Sequence, residues 1–138
     1  MSQQSWLIDK SALVWLHRSP DRHEWLERTQ RGLVHITTMT LLELGYSARS
    51  QQEHREAVGG DLIRSMPISN LTPTIEQRAV EIQAMLASRG MHRAPSVPDV
   101  LVAATADIAQ LTVLHVDKNF DLIAGLTGQP TERLAVPS

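Results

Sequence analysis

The sequence predicts an α/β protein, a three-layer α/β/α domain around a central, mainly parallel sheet of four to five strands. Short β-prone apolar segments alternate with longer segments whose apolar residues recur every three or four positions, the pattern of strands joined by helical crossovers. No internal repeat, low-complexity tract or linker interrupts the 138 residues, so one domain is expected over 1–138. An acid, Asp9, stands where the first strand hands over to a helix, and in an open parallel sheet ligands bind outside the carboxyl ends of the strands.

Trp6, Leu7 and Ile8 read as a buried strand within residues 6–10, and Ala12 to Leu16 continue as a helix over 11–17. Ser19-Pro20-Asp21 signals a second helix, with Ser19 as cap and Pro20 at its first position. It runs to about Gln30, turns Trp25 and Leu26 inward and stops at Gly32. Leu33 to Ile36 is strand two. Thr37 or Thr38 caps a helix over about 39–49. A polar, charge-mixed helix fills 50–66, interrupted at Gly59-Gly60, and Pro67-Ile68 begins a short third strand. Thr72-Pro73-Thr74-Ile75 opens an amphipathic helix ending at Gly90, with Ile75, Ala79, Ile82 and Leu86 on one face. Met91 to Val97 is loop, Pro98 begins a helix to about Gln110, and Leu111 to Val116 is strand four. Residues 118–125 form a last short helix, and Arg133 to Val136 adds an edge strand.

Composition narrows the chemistry. A hydrophobic share of 42% fits a globular protein with a proper core. The absence of cysteine excludes a disulfide framework, a thiol nucleophile and thiolate metal sites. Met1 to Ser5 carry no basic stretch and no long apolar run follows, so neither a signal peptide nor a membrane span is expected, and a cytoplasmic location is. A net charge of −2 argues against a generic nucleic-acid coat protein, though not against an enzyme that gathers its acids in one site.

Four acids stand in apolar company, where a carboxylate is costly to bury unless neutralised. Asp9 follows strand one. Glu43 lies mid-helix in Met39-Thr-Leu-Leu-Glu-Leu-Gly-Tyr46, sharing a face with Met39 and Tyr46 in a helix apolar nearly all round, with little open water to reach. Asp99 shares a stripe with Val102, Ala103 and Ala106, and Asp117 ends strand four. Local accounts exist for each: an Asx turn or cap for Asp9, a helix dipole for Asp99, an N-cap for Asp117, a buried partner such as Arg49 for Glu43. Together, four carboxylates facing one sheet edge would repel one another and hold protons at neutral pH. A hard divalent cation resolves that repulsion, and oxygen-only ligands suit Mg²⁺ or Mn²⁺ rather than Zn²⁺. Ser11 and Thr38 are placed to hydrogen-bond these carboxylates or metal-bound water, Asn119 to act as a further ligand through water, and Asp121 is assigned no essential role. Among the histidines, His115 is expected to be packed and hydrogen-bonded.

The segments Leu-Ile-Asp9-Lys-Ser11-Ala, Leu-Leu-Glu43-Leu, Pro98-Asp99-Val-Leu-Val-Ala-Ala and His115-Val-Asp117-Lys-Asn119-Phe-Asp121-Leu-Ile-Ala, in this order, closely resemble a PIN-domain ribonuclease. The best match is the VapC toxin branch of bacterial toxin–antitoxin pairs, and the resemblance covers nearly the whole chain. It implies a PIN-like fold and a Mg²⁺- or Mn²⁺-dependent endoribonuclease cutting structured RNA, often tRNA or rRNA. It also implies a VapB-type antitoxin that blocks the site, and homodimers. The family's catalytic and metal-holding acids carry over onto Asp9, Glu43, Asp99 and Asp117. Asn119 departs from relatives that have a further Asp there, which bears on a second metal site and not on the first.

Metal-assisted phosphodiester hydrolysis is the expected chemistry, with Asp99 or Asp117 orienting or deprotonating the attacking water and Lys10, Arg49, Arg93 or Lys118 holding RNA phosphates. A phosphotransfer receiver would need an adjacent acidic pair after strand one, and a phosphatase with an aspartyl nucleophile would need Asp-x-Asp early. Neither is clear in this chain. The non-enzyme rival is a catalytically silent PIN-like module that binds RNA or antitoxin.

Overall fold

The computed structural model describes residues 3–138; Met1 and Ser2, which open the expected domain and its polar N-terminal stretch, lie outside them. Strands β1 (Trp6–Ile8), β2 (Val34–Thr37), β3 (Ile68–Ser69), β4 (Thr112–His115) and β5 (Thr131–Arg133) form a five-stranded sheet in the order β3-β2-β1-β4-β5. Every pairing is parallel, with Trp6 opposite both Val34 and Thr112. The chain builds outward from β1 to β3, then returns to the other side of β1 for β4 and β5. The reversal falls between β1 and β4, the position where open parallel sheets leave a crevice.

The helices are α1 (Lys10–Leu13), α2 (Arg22–Gln30), α3 (Thr38–Tyr46), α4 (Gln51–Gly59), α5 (Asp61–Arg64), α6 (Pro73–Ala87), α7 (Val97–Ala109) and α8 (Lys118–Thr127). Side-chain alternation along β1 splits the core in two. Leu7 faces one cluster with Ile75, Ile82 and Leu86 of α6, Val102 and Ala104 of α7, and Phe120 of α8. Trp6 and Ile8 face the other with Ala12 and Leu13 of α1, Trp25 of α2, and Met66. Trp25 meets Trp6 edge-on, with ring centroids 5.0 Å apart. Helices on both faces of a parallel sheet make the expected three layers.

Several ends differ from the sequence expectation, each for a local reason. Strand one stops at Ile8 because Asp9 is already the N-cap of α1. That helix ends at Leu13, and a 3₁₀ turn, Leu16–Arg18, follows in place of a continuous helix over 11–17. Ser19 is not the cap of α2: it is buried, its Oγ accepts from the Asp21 amide at 3.1 Å, and the helix starts at Arg22. α7 begins at Val97, one residue before the expected Pro98, because Ser96 caps it. The edge strand forms at Thr131–Arg133, earlier than expected, since α8 ends at Gly128 in a left-handed turn (φ +75°) that sends the chain straight back beside β4.

Candidate active site

Three of the four acids are held by helix caps. Asp9, only 5% exposed, accepts a hydrogen bond from the Ser11 amide on Oδ2 (3.0 Å), while its own amide donates to the Leu114 carbonyl (2.9 Å). Asp117 caps α8 by accepting from the Asn119 amide on Oδ1 (2.9 Å). Asp99 completes a capping box: its amide donates to Ser96 Oγ (3.2 Å), and its Oδ2 accepts from the Ser96 amide (3.1 Å). For Asp9 and Asp117 these are the local roles weighed from sequence; for Asp99 the sequence offered only a favourable helix dipole, and the capping box with Ser96 is an addition. Glu43 has no capping role; it is half-buried on α3 beside Lys10.

Electrostatics link the four. Burial pushes the Glu43 carboxyl above its ordinary value; the charges of Asp9 and Asp99 push it further, against the pull of Lys10. Burial also raises Asp99, with Asp9 and Asp117 adding to the rise and the Ser96 hydrogen bonds opposing it. Asp9 is therefore within electrostatic reach of both Glu43 and Asp99, and Asp117 of Asp99. Among the described residues no three His, Cys, Asp or Glu side chains are drawn together tightly enough to hold an ion as they stand. Asp9, Asp99 and Asp117 each spend one carboxylate oxygen on their own helix. The donor set nonetheless fits a hard divalent cation: it is all oxygen and partly desolvated, and burial, with neighbouring carboxylates adding to it, raises the proton affinity of Glu43 and Asp99.

The neighbourhood departs from expectation at three points, and at a fourth, the cap of α3, it decides between the two threonines expected. Ser11 does not bond a carboxylate: its Oγ accepts from the Val116 amide (2.9 Å), tying α1 to the end of β4. Thr38 is the first residue of α3, and Thr37 is the cap, accepting from the Thr40 amide at 3.0 Å. Asn119 Nδ2 donates to the Ala94 carbonyl (3.2 Å), so the side chain anchors the loop before α7. Arg49 pairs with Glu53 rather than with Glu43. The face of α3 around Glu43 is also more open than its apolar sequence suggests, with Leu42 68% and Tyr46 93% exposed. Lys10, Met39, Leu42, Glu43 and Tyr46 line a hollow of about 330 Å³ there, and Lys10 Nζ donates to Ser47 Oγ at 3.0 Å.

His115 is wholly buried, as a packed role requires, and its ring lies 5.3 Å from that of Phe120. Its Nδ1 accepts from the Asp117 amide (3.1 Å). Burial pushes this imidazole below its ordinary value, outweighing the opposite pull of Asp121, whose Oδ1 lies 3.4 Å from Nε2. The pair is thus a neutral ring beside a carboxylate and not an ion pair. Asp121, set aside on sequence alone, also meets Arg133 at 3.4 Å. The available signal was a polar residue in a strand with both faces covered.

A parallel α/β sheet with acids at its switch point, in this order along the chain, defines the class. The family model for the PIN domain matches residues 6–126, and the chain belongs to the PIN-domain family. It is 58% identical over 134 residues to Ribonuclease VapC2 of Mycobacterium tuberculosis (strain CDC 1551 / Oshkosh), covering 97% of this chain and 95% of that protein. Ribonuclease VapC21 of the same species (strain ATCC 25618 / H37Rv) is 37% identical over 132 residues, 96% of this chain and 95% of its own. Among solved structures, DNA-bound VapBC from Salmonella typhimurium superposes with a TM-score of 0.75 at 20% identity, over 95% of this chain and 98% of that one. VapBC2 from Rickettsia felis, bound to a promoter DNA fragment, gives 0.78 at 13% identity, over 94% and 98%. These two share the fold.

Proposed function

We propose that this chain is the toxin of a type II toxin–antitoxin pair, a metal-dependent endoribonuclease that cleaves structured RNA, tRNA or rRNA, and is inhibited by a VapB-type antitoxin. The observation that carries the reading is the placing of Asp9 and Asp117 just past the two strands at the sheet's switch point, with Asp99 within reach of both charges and Glu43 within reach of Asp9 and Asp99, in a chain 58% identical to a named ribonuclease. The VapBC complexes among the solved structures support the antitoxin partner. No helix among the described residues is long and apolar enough to cross a membrane, and a cytoplasmic place beside RNA fits the activity. The open apolar face of α3 supports a homodimer.

Asp9, Asp99, Asp117 and Glu43 would hold the ion, Mg²⁺ or Mn²⁺, which when bound lowers the pKa of coordinated water and offsets phosphate charge. The chain's residues divide the remaining work. Asp99, with its raised proton affinity, accepts the proton of the attacking water, or Asp117 orients that water. Lys10, beside Glu43 and free to leave Ser47, contacts an RNA phosphate. An antitoxin cation, such as an Arg, would satisfy the same acids and close the site.

Expression of the chain alone, followed by mapping of RNA fragment ends, tests the reading directly. Discrete new ends in tRNA or rRNA, lost in Asp99→Asn, are expected; an unchanged RNA profile would leave the silent-module reading standing. A thermal scan tests the ion: Mg²⁺ or Mn²⁺ should raise Tm in the native chain and not in the Asp9→Asn, Asp99→Asn double variant. Equal shifts in both would place the ions elsewhere.

A further inference from the structure

A run of three side chains outside the four acids ends on the backbone of one of them. We propose that Asp121, acting through His115, is a positioning residue for Asp117, with Arg133 holding Asp121 in turn. This deepens the function proposed above and rests on its reading of Asp117 as an ion-holding residue.

The geometry begins at the ring. His115 Nδ1 accepts the Asp117 N–H (3.1 Å) and so carries no proton; the neutral ring bears its proton on Nε2. Nε2 is buried and makes no hydrogen bond of good geometry, alone among the buried side-chain polar atoms of the described residues. The carboxylate facing it is Asp121, with Oδ1 at 3.4 Å, just beyond a well-formed bond. Arg133 Nη2 approaches Oδ2 of the same carboxylate, also at 3.4 Å. Leaving a buried N–H unpaired is costly, so a small approach of Asp121 is favoured wherever the fold permits it.

Asp121 and Asp117 share the first turn of α8, Asp117 as its N-cap. The ring therefore touches that turn twice, through the amide at its start and toward the carboxylate one turn on. Closing Nε2–H on Asp121 fixes the ring, and the fixed ring fixes the amide of Asp117. The Asp117 carboxylate is already tied to the Asn119 amide, so its orientation follows. β5 enters through Arg133, which explains why an edge strand opposite β4 bears on the site. Outer partners of this kind typically govern metal affinity or activity by about 10–100-fold.

Asp121 is exposed, so its variants should fold, and the acid can be probed without disturbing the core. The experiment compares Asp121→Ala, Asp121→Asn and Asp117→Asn by three readouts. These are Mn²⁺ affinity from the paramagnetic resonance of free ion, kcat and KM on a cleaved RNA, and hydrogen exchange of the Asp117 amide in metal-free protein. Asp121→Ala is expected to lower Mn²⁺ affinity and kcat by about 10-fold with KM near native, and to speed exchange at Asp117. Asp121→Asn keeps an acceptor oxygen for Nε2–H and should restore most of all three. A fall in Tm alone, or native exchange at Asp117 in Asp121→Ala, overturns the proposal. If instead Asp117→Asn binds Mn²⁺ as the native chain does, the ion-holding reading of Asp117 fails, a result separate from the exchange measurement.

Discussion

Helices α3 and α7 read alike in the sequence and meet different fates in the fold. Both are apolar almost all round, both start at a hydroxyl cap, and each carries one acid of the site. α7 buries Val100, Val102, Ala103, Ala104, Thr105 and Ala106, whereas α3 fully buries only Thr40 and leaves Leu42 and Tyr46 open. All-round apolarity thus signals that a helix wants cover, not that its own chain supplies the cover. The acids inherit the difference. Asp99 is desolvated yet accepts a hydrogen bond within its capping box, while Glu43 has only the charge of Lys10 to offset its neighbours.

The largest effect expected from breaking this pair is chemical. Asp99→Asn keeps the shape and an acceptor oxygen for the Ser96 amide but removes one charge. RNA cleavage should fall by about 10²–10³, the usual loss for one preorganised electrostatic group, with circular dichroism unchanged. Near-native cleavage in saturating Mg²⁺ would remove Asp99 from the site. Packing comes next. Val102→Ala on α7 should cost about 2 kcal/mol in urea denaturation, from lost burial and the cavity left behind. Leu42→Ala on α3 should stay within about 0.5 kcal/mol for the single chain; comparable losses would mean that α3 is covered. Smaller again, Ser96→Ala removes the α7 cap and should cost about 1 kcal/mol, while cleavage survives at a reduced rate.

The smallest effect is a slope. Glu43 and Asp99 have folded-state pKa values above their ordinary ones, so the folded chain keeps protons that the unfolded chain has released. Their contribution to stability is present at low pH and lost as pH rises from the ordinary carboxylate range through the raised folded values. In chelator, Glu43→Gln and Asp99→Asn should each flatten that fall relative to the native chain. A native slope unchanged by both variants would mean that neither carboxyl is perturbed.

The parallel sheet, the alternation of elements and the positions of Asp9 and Asp117 at strand ends were legible because each rests on local signals: apolar runs, caps and glycine stops. Ends were harder where one residue served two elements, as Asp9 does by closing β1 and capping α1. The exposure of Leu42 and Tyr46 was hidden because periodicity records which residues share a face and not what lies opposite. Ser11, read as a hydrogen-bond partner of the acids or of metal-bound water, instead holds the Val116 amide over a separation of 105 residues, a pairing no local pattern announces. His115 was correctly expected to be packed, but its approach to Asp121 depends on the turn geometry of α8, and the link to Arg133 on where β5 docks.

The sheet order has a consequence for how the protein comes off the ribosome. β1 emerges first and its partner β2 follows soon after, but its other neighbour, β4, comes roughly a hundred residues later. Asp9 and Asp117 end those two strands, so they become neighbours only when synthesis is almost complete. Closing so long a segment is slow, and domains assemble as units once their parts are available. A chain that lacks β4 therefore lacks the crevice between β1 and β4 itself. The interval before β4 appears is also a window in which the earlier helices are already made and the acids are still apart.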